Sequence, residues 1–290
     1  MTDMLVKGII FGGKARVCII NITDIVNEEI KIHSLSPLST ACLGRCMTLG
    51  AYISTNLKNT SNSFSINING GGEIGSIIVA GEGGNFIRGY VENPSIDLPL
   101  KENGHLDVGR AIGTNGFMTV IKDFGLKEPY IGKTELVNGE VGEDFAKYLY
   151  VSEGIKNAVA VGVKVTKDGC VSAGGVIVEA LPDLQLEEQL FMLEDIMNNF
   201  KSASDVLEKM SCEEIFDFYF GHLDAEKFAP EKITLRCSCS ANKITGIIEG
   251  LGKIEADSII AEMGKIEVKC QFCNKDYIYT KEDVDKLWVK

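Results

Sequence analysis

The chain has 290 residues, 45% of them hydrophobic, with 31 Gly, 6 Pro and a formal charge of −12; this excludes a disordered or fibrous chain and predicts two domains. That charge disfavours nucleic acid and anionic membrane as partners, because polyanions are held mainly by Lys and Arg. Nine Cys at irregular spacing make a poor disulfide framework and suit reduced thiols in a reducing compartment.

The opening MTDMLVKGIIFGGKARVCII has apolar runs that Lys7, Lys14 and Arg16 interrupt before signal-peptide or membrane-span length. A cytoplasmic chain without a targeting segment is expected. The β-branched runs Ala15 to Ile22, Gly75 to Ala80 and Ala158 to Val165, bounded by Gly or polar clusters, predict strands. Between them a helix is predicted to follow Ser36 as cap, with Pro37 in its first turn. A second helix is predicted over Glu143 to Val151, where Phe145, Tyr148 and Leu149 share a face.

From about residue 179 the character changes. Leu186, Leu190, Leu193, Met197 and Phe200 form one apolar helical stripe. Two shorter helices follow, opened by Ser204 with Asp205 and by Ser211 with Glu214 as a capping box. Residues 179–228 hold 3 basic and 13 acidic side chains, a net charge of −10. Such a segment repels itself and holds its fold only by packing its stripe on something else. Residues 229–290 balance 10 basic against 10 acidic side chains. About sixty residues bury too little surface to be stable without a staple. The expected fold class is therefore α+β: a mixed α/β N-terminal domain at 1–178, an acidic helical linker at 179–228 and a small C-terminal zinc-binding module at 229–290.

The staple is legible as Cys237-Ser-Cys239, thirty residues, then Cys270-Gln-Phe-Cys273. Two close pairs separated by a small domain's length suit one zinc ion held by four thiolates. Four thiolates leave no open position for water, so catalysis by this zinc is not expected. Spacing alone leaves two readings open, a permanent structural staple and an oxidisable switch, since thiolates are the form of Cys that oxidants attack.

The residues around the cysteines, ITLRCSCS and IIAEMGKIEVKCQFCNKDYIYTKEDVDKL, together with HSLSPLSTACLGR, GNFIRGYVENP, DVGRAIGTNGFMTVIKD, EPYIGKTELVNGEVGEDFAKYLYVSEG and SAGGVIVEALP, resemble the thirty-three-kilodalton chaperonin family of redox-regulated heat shock holdases over nearly the whole chain. One local departure is Gly154 and Ile155, where family members often carry Gln and a nearby Pro. The resemblance implies a chaperone rather than an enzyme, inactive while Cys237, Cys239, Cys270 and Cys273 bind zinc. It implies activation in oxidative stress by disulfides joining Cys237 to Cys239 and Cys270 to Cys273, with zinc release and unfolding of the module and linker. The activated form then holds unfolding client proteins without ATP, commonly as a homodimer.

Other signals carry less. Gly70, Gly72 and Gly75 spell GxGxxG, but SIIVA after them reads as a strand, so a hairpin turn is expected rather than a dinucleotide site. Gly12, Gly13 and Lys14 read as a turn. His33, His105 and His222 have no metal spacing, Cys42 and Cys46 read as core residues of one helix face, and Cys18, Cys170 and Cys212 as buried thiols. A zinc-ribbon nucleic-acid adaptor and a thiol-disulfide oxidoreductase using Cys270 and Cys273 are the rival functions. Charge opposes the first, and the strand-turn-strand pattern of EVKCQFCNKDYIY opposes the second, which needs its CxxC at a helix N-terminus.

Overall fold

β-Branched apolar runs form the early strands, which pair into two sheets. The structure is a computed structural model that describes residues 3–184 and 187–288, and the chain divides into two compact units, Met1–Arg236 and Cys237–Lys290. The first unit runs β1 (Met4–Ile10), β2 (Ala15–Asn21), α1 (Thr23–His33), α2 (Pro37–Thr55), β3 (Ser63–Asn69), β4 (Ile77–Glu82), β5 (Phe86–Val91), α3 (Val108–Ile112), β6 (Phe117–Asp123), β7 (Tyr130–Glu135), α4 (Gly142–Glu153), β8 (Lys156–Thr166) and β9 (Gly169–Ala180). It continues through α5 (Glu187–Asn198), α6 (Ala203–Lys209), α7 (Cys212–Tyr219) and three two-residue strands, β10 (Glu226–Lys227), β11 (Glu231–Lys232) and β12 (Thr234–Leu235).

One sheet has the order β10-β1-β2-β9-β8, with β11 also on β1, and is antiparallel throughout. The other has the order β12-β5-β4-β3-β6-β7, antiparallel except where β12 joins β5. Helix α2 starts as its sequence dictates, with Ser36 accepting a hydrogen bond from the Ser39 N–H and Pro37 in the first turn. Its apolar residues point in every direction, so nearly all of it is buried, and it packs against strands of both sheets. Helix α4 buries Phe145, Tyr148 and Leu149 as expected and ends at Gly154, whose left-handed conformation (φ 72°) a glycine adopts without strain.

The first sheet is buried on both faces, with successive residues alternating between two cores. Leu5, Cys18, Ile20, Ala173 and Ile177 face the core around α2. Val6, Ile10, Val17, Ile19, Val176 and Val178 face away from it, and α5, α6 and α7 cover them with Leu193, Ile196, Phe200, Leu207, Ile215, Phe216 and Phe220. Leu190 and Met197 complete the predicted stripe as partly buried residues, whereas Leu186 lies outside the described residues. Gly8 permits close approach here, since a Cβ on it would stand 2.5 Å from the Phe216 ring.

Two details differ from the sequence reading. Helix α6 starts two residues earlier than expected: Ser202 is at the N-cap position, its hydroxyl 2.5 Å from the Asp205 carboxylate, while Ser204 lies inside the helix and its carbonyl accepts from the Ser172 hydroxyl. Helix α1 was not expected, because Ile25, Val26 and Ile30 are β-branched and favour strands locally; burial of Ile25 and Val26 against the core overrides that preference. The capping box of Ser211 and Glu214 opens α7 as predicted. Gly70, Gly72 and Gly75 lie in the connection between β3 and β4, where no helix begins.

The second unit contains α8 (Ala241–Leu251), α9 (Lys253–Met263), a hairpin of β13 (Ile266–Lys269) and β14 (Asp276–Tyr279), and α10 (Lys281–Leu287). Its core is small: Ile244, Ile248, Ala256, Ile260, Ile266, Tyr277 and Val284.

Candidate metal centre

Each cysteine pair sits where the backbone turns. Cys239 precedes Ser240, whose hydroxyl caps α8 by accepting from the Lys243 N–H at 3.3 Å. Cys270 follows β13 and opens the hairpin turn. Its N–H donates to the Lys275 carbonyl at 2.9 Å, its carbonyl accepts from the Asn274 N–H at 2.9 Å, and Asn274 takes the left-handed conformation (φ 56°) that a tight turn requires. The turn returns Cys273 beside Cys270 and carries both toward the first pair.

The four Sγ atoms all lie within 4.8 Å of one another. Cys237 Sγ is 3.6 Å from Cys270 Sγ, and Cys239 Sγ is 3.5 Å from Cys273 Sγ. A tetrahedral zinc ion with bonds of ~2.3 Å sets its sulfurs about 3.8 Å apart, so this donor set fits one such ion. Among the described residues it is the one group of three or more His, Cys, Asp or Glu able to hold a metal. With a core of seven buried side chains, the unit has the size at which a metal decides folding.

The four thiols differ in their surroundings. Burial opposes ionisation of Cys239, but the Tyr277 hydroxyl, 3.1 Å from its sulfur, and the neighbouring thiols outweigh this and bring it down to about 7. Burial, reinforced by hydrogen bonds to its neighbours, pushes Cys237 well up, and burial also raises Cys273. The cluster therefore offers one readily formed thiolate stabilised by its neighbours. Tyr277 is the residue that sequence reading missed. The only signal was an aromatic placed four residues after Cys273, and such a residue more often serves packing.

The remaining cysteines contrast with these. Cys18, Cys42, Cys46, Cys170 and Cys212 are all buried. Burial pushes the thiols of Cys42, Cys170 and Cys212 up to about 12 and raises Cys18 and Cys46 as well. They are protonated at neutral pH and shielded, hence poor targets for oxidants. His33 pairs with the fully buried Glu29, Nε2 to Oε2 3.1 Å, while His105 and His222 are exposed; none joins a metal-holding group. No helix among the described residues is long and apolar enough to cross a membrane.

Comparison with known proteins agrees over the full length. Residues 3–280 match the family model described as Hsp33 protein. A 33 kDa chaperonin of Caldanaerobacter subterraneus subsp. tengcongensis is 44% identical over 268 residues, covering 91% of this chain and 90% of that protein. The 33 kDa chaperonin of Bacillus pumilus is 38% identical over 287 residues, covering 98% of each. The crystal structure of a 33 kDa chaperonin, a heat shock protein 33 homolog, from Thermotoga maritima superposes with a TM-score of 0.91 at 32% identity, covering 99% of this chain and 98% of that one.

Proposed function

The chain belongs to the Hsp33 family, and from that premise we propose that it is a redox-regulated, ATP-independent holdase whose four clustered cysteines are the switch. In the reduced state Cys237, Cys239, Cys270 and Cys273 hold one zinc ion, which supplies the cross-link that the small unit otherwise lacks. Oxidation draws electrons from the thiolates, and once the cluster loosens the pairing follows the chain, joining Cys237 to Cys239 and Cys270 to Cys273. In the closed cluster all four sulfurs lie within 4.8 Å of one another, and close contacts run between the turns as well; sequence proximity is what selects the products.

The observation that carries the proposal is the contrast among the nine thiols: four half-buried and clustered, five buried and isolated from solvent. A second feature supplies the working surface. Helices α5 to α7 cover an apolar sheet face formed by Val6, Ile10, Val17, Ile19, Val176 and Val178, and residues 179–228 have a net charge of −10 against −12 for the whole chain. Self-repulsion makes these helices the first to leave when support is withdrawn. In this account residues 1–178 are the chaperone core, 179–228 the releasing linker and 229–290 the switch. Release exposes the sheet face to unfolding client proteins, and the activated form pairs as a homodimer. The protein works in the cytoplasm and carries out no catalysis; neither nucleic acid nor membrane is its partner.

The test is disulfide mapping by mass spectrometry after peroxide treatment, alongside suppression of aggregation of an unfolding test protein. Two near-neighbour disulfides with acquired activity support the proposal. Disulfides between the turns, or activity without thiol loss, would overturn it.

A further inference from the structure

Strand β8 is an outer strand of the first sheet, with β9 on one side. Its hydrogen-bonding parity follows from its neighbours. The Ile22 N–H donates to the Ala173 carbonyl and the Leu181 N–H to the Lys14 carbonyl, so odd-numbered residues of β9 are turned toward β2 and even-numbered ones toward β8. Since Ala160 lies opposite Val176 and Ala158 opposite Val178, the even residues of β8 bond to β9. The N–H and C=O groups of Asn157, Val159, Val161 and Val163 are therefore directed away from the sheet. Among the described residues, no hydrogen-bond partner is found for any of these backbone groups.

This edge lies at the floor of a trough. One recess of about 410 Å³ is lined by Ala158 to Val161, with Arg45 and Gly142 on one side and Met197 and Phe200 on the other. A second, of about 480 Å³, continues it along Val161 to Val165, between Arg45 and Leu106 on one side and Lys201 and Ser202 on the other. Unpaired strand edges are templates for another strand, and natural proteins usually cover or charge them. Here the edge is free but recessed. Walls on both sides keep two recessed edges from two copies from approaching to the ~4.8 Å that strand pairing needs, which leaves a single extended chain as the occupant.

We propose that the free edge of β8 is a docking site for one extended polypeptide segment, which adds as a further strand through the backbone groups of Asn157, Val159, Val161 and Val163. This deepens the holdase reading and rests on it for the nature of the ligand, a stretch of unfolded client. Pairing through the backbone is indifferent to client sequence, while alternate client side chains meet the Arg45 and Gly142 wall and the Met197 and Phe200 wall. Departure of α5 and α6 opens the second wall and joins the edge to the apolar sheet face beside it.

The experiment uses the full-length protein after peroxide treatment and a synthetic nine-residue peptide of alternating Val and Thr with Lys at each end, together with an analogue N-methylated at alternate amides. Amide hydrogen exchange is followed by NMR. The unmethylated peptide at saturation is expected to slow exchange at Val159, Val161 and Val163 at least tenfold, and the methylated analogue to leave it unchanged. The variant Val161→Pro removes one outward N–H and spares the ladder to β9; with β9 amides still protected, it is expected to bind the peptide at least tenfold more weakly. Unaltered exchange at the three valines, or equal protection by both peptides, overturns the proposal. Aggregation suppression by the oxidised protein is measured in parallel. Suppression without edge protection removes the edge site alone, and edge protection without suppression removes the holdase reading alone.

Discussion

Phe216 is fully buried on the underside of α7, lying against Gly8 of β1 and 6.1 Å from the Phe220 ring. It is one of the side chains that hold the acidic helices on the sheet. Phe216→Ala removes a buried ring and leaves a cavity, which costs about 3–5 kcal/mol. If that loss falls on docking of the helices rather than on the fold of the core, the open fraction of the reduced protein rises roughly 150- to 5,000-fold. The variant is therefore expected to suppress aggregation without oxidant, zinc still bound, and to lose hydrogen-exchange protection in α5 to α7 while keeping it in α2 and β9. Ile20→Val on the opposite face of the sheet, costing about 0.5–1.5 kcal/mol, serves as the control that leaves the reduced protein silent. A Phe216→Ala protein whose helices exchange freely, yet which stays inactive when reduced, would refute the view that these helices conceal the working surface.

Gly8→Ala should act in the same direction from the core side, because its Cβ meets the Phe216 ring and overpacking costs about 1–3 kcal/mol; hydrogen exchange in α7 reads this. Removing zinc with a strong chelator under reducing conditions should abolish the helical signal of the second unit and leave urea unfolding of the first unit as a separate transition. Tyr277→Phe deletes the hydroxyl that helps hold the Cys239 thiol at about 7. The hydrogen bond favours the thiolate, so its loss moves the thiol upward, and the zinc affinity of the reduced protein at neutral pH, read by competition with a chelator, should fall. His33→Leu leaves the Glu29 carboxylate with the Gly89 N–H but without its imidazole partner at a site with no solvent exposure, costing about 3 kcal/mol in urea titrations at neutral pH. Burial already raises Glu29 above the usual carboxylate range, with His33 opposing it. The folded variant therefore binds the proton more tightly than the unfolded chain, and part of the loss should be recovered as pH falls from neutral toward ~4.5.

Much of the cysteine cluster was legible because metal ligands are written locally. Two cysteine pairs with a module-length gap specify a tetrathiolate whatever fold surrounds them, and the Ser36, Pro37 and Ser211, Glu214 signals fix helix starts through neighbouring backbone groups. The stripe of α5 was equally legible, since periodicity of 3.6 needs only the sequence. What it packs on was not. That the sheet order is β10-β1-β2-β9-β8 depends on pairing between residues more than 150 positions apart, and no local pattern encodes it. The same holds for the free edge of β8, whose Val-rich run reads as a strand but says nothing about which neighbour is missing. Helices α8 and α9 between the cysteine pairs also escaped, because the interval was read for its ligands rather than for Ile244, Ile248 and Ile260, whose spacing forms the module's core. Glu29 and His33, four apart on α1, were invisible because no helix was assigned between the strand ending at Ile22 and the cap at Ser36.

The most direct test is an oxidant titration of the full-length, zinc-loaded protein in which released zinc, remaining free thiols and suppression of aggregation are measured on the same samples. Activity should rise in step with the loss of one zinc and four thiols per chain, with the five buried cysteines still reduced. Zinc and thiol loss completed with no gain in suppression would contradict the switch and leave the four cysteines as a structural staple.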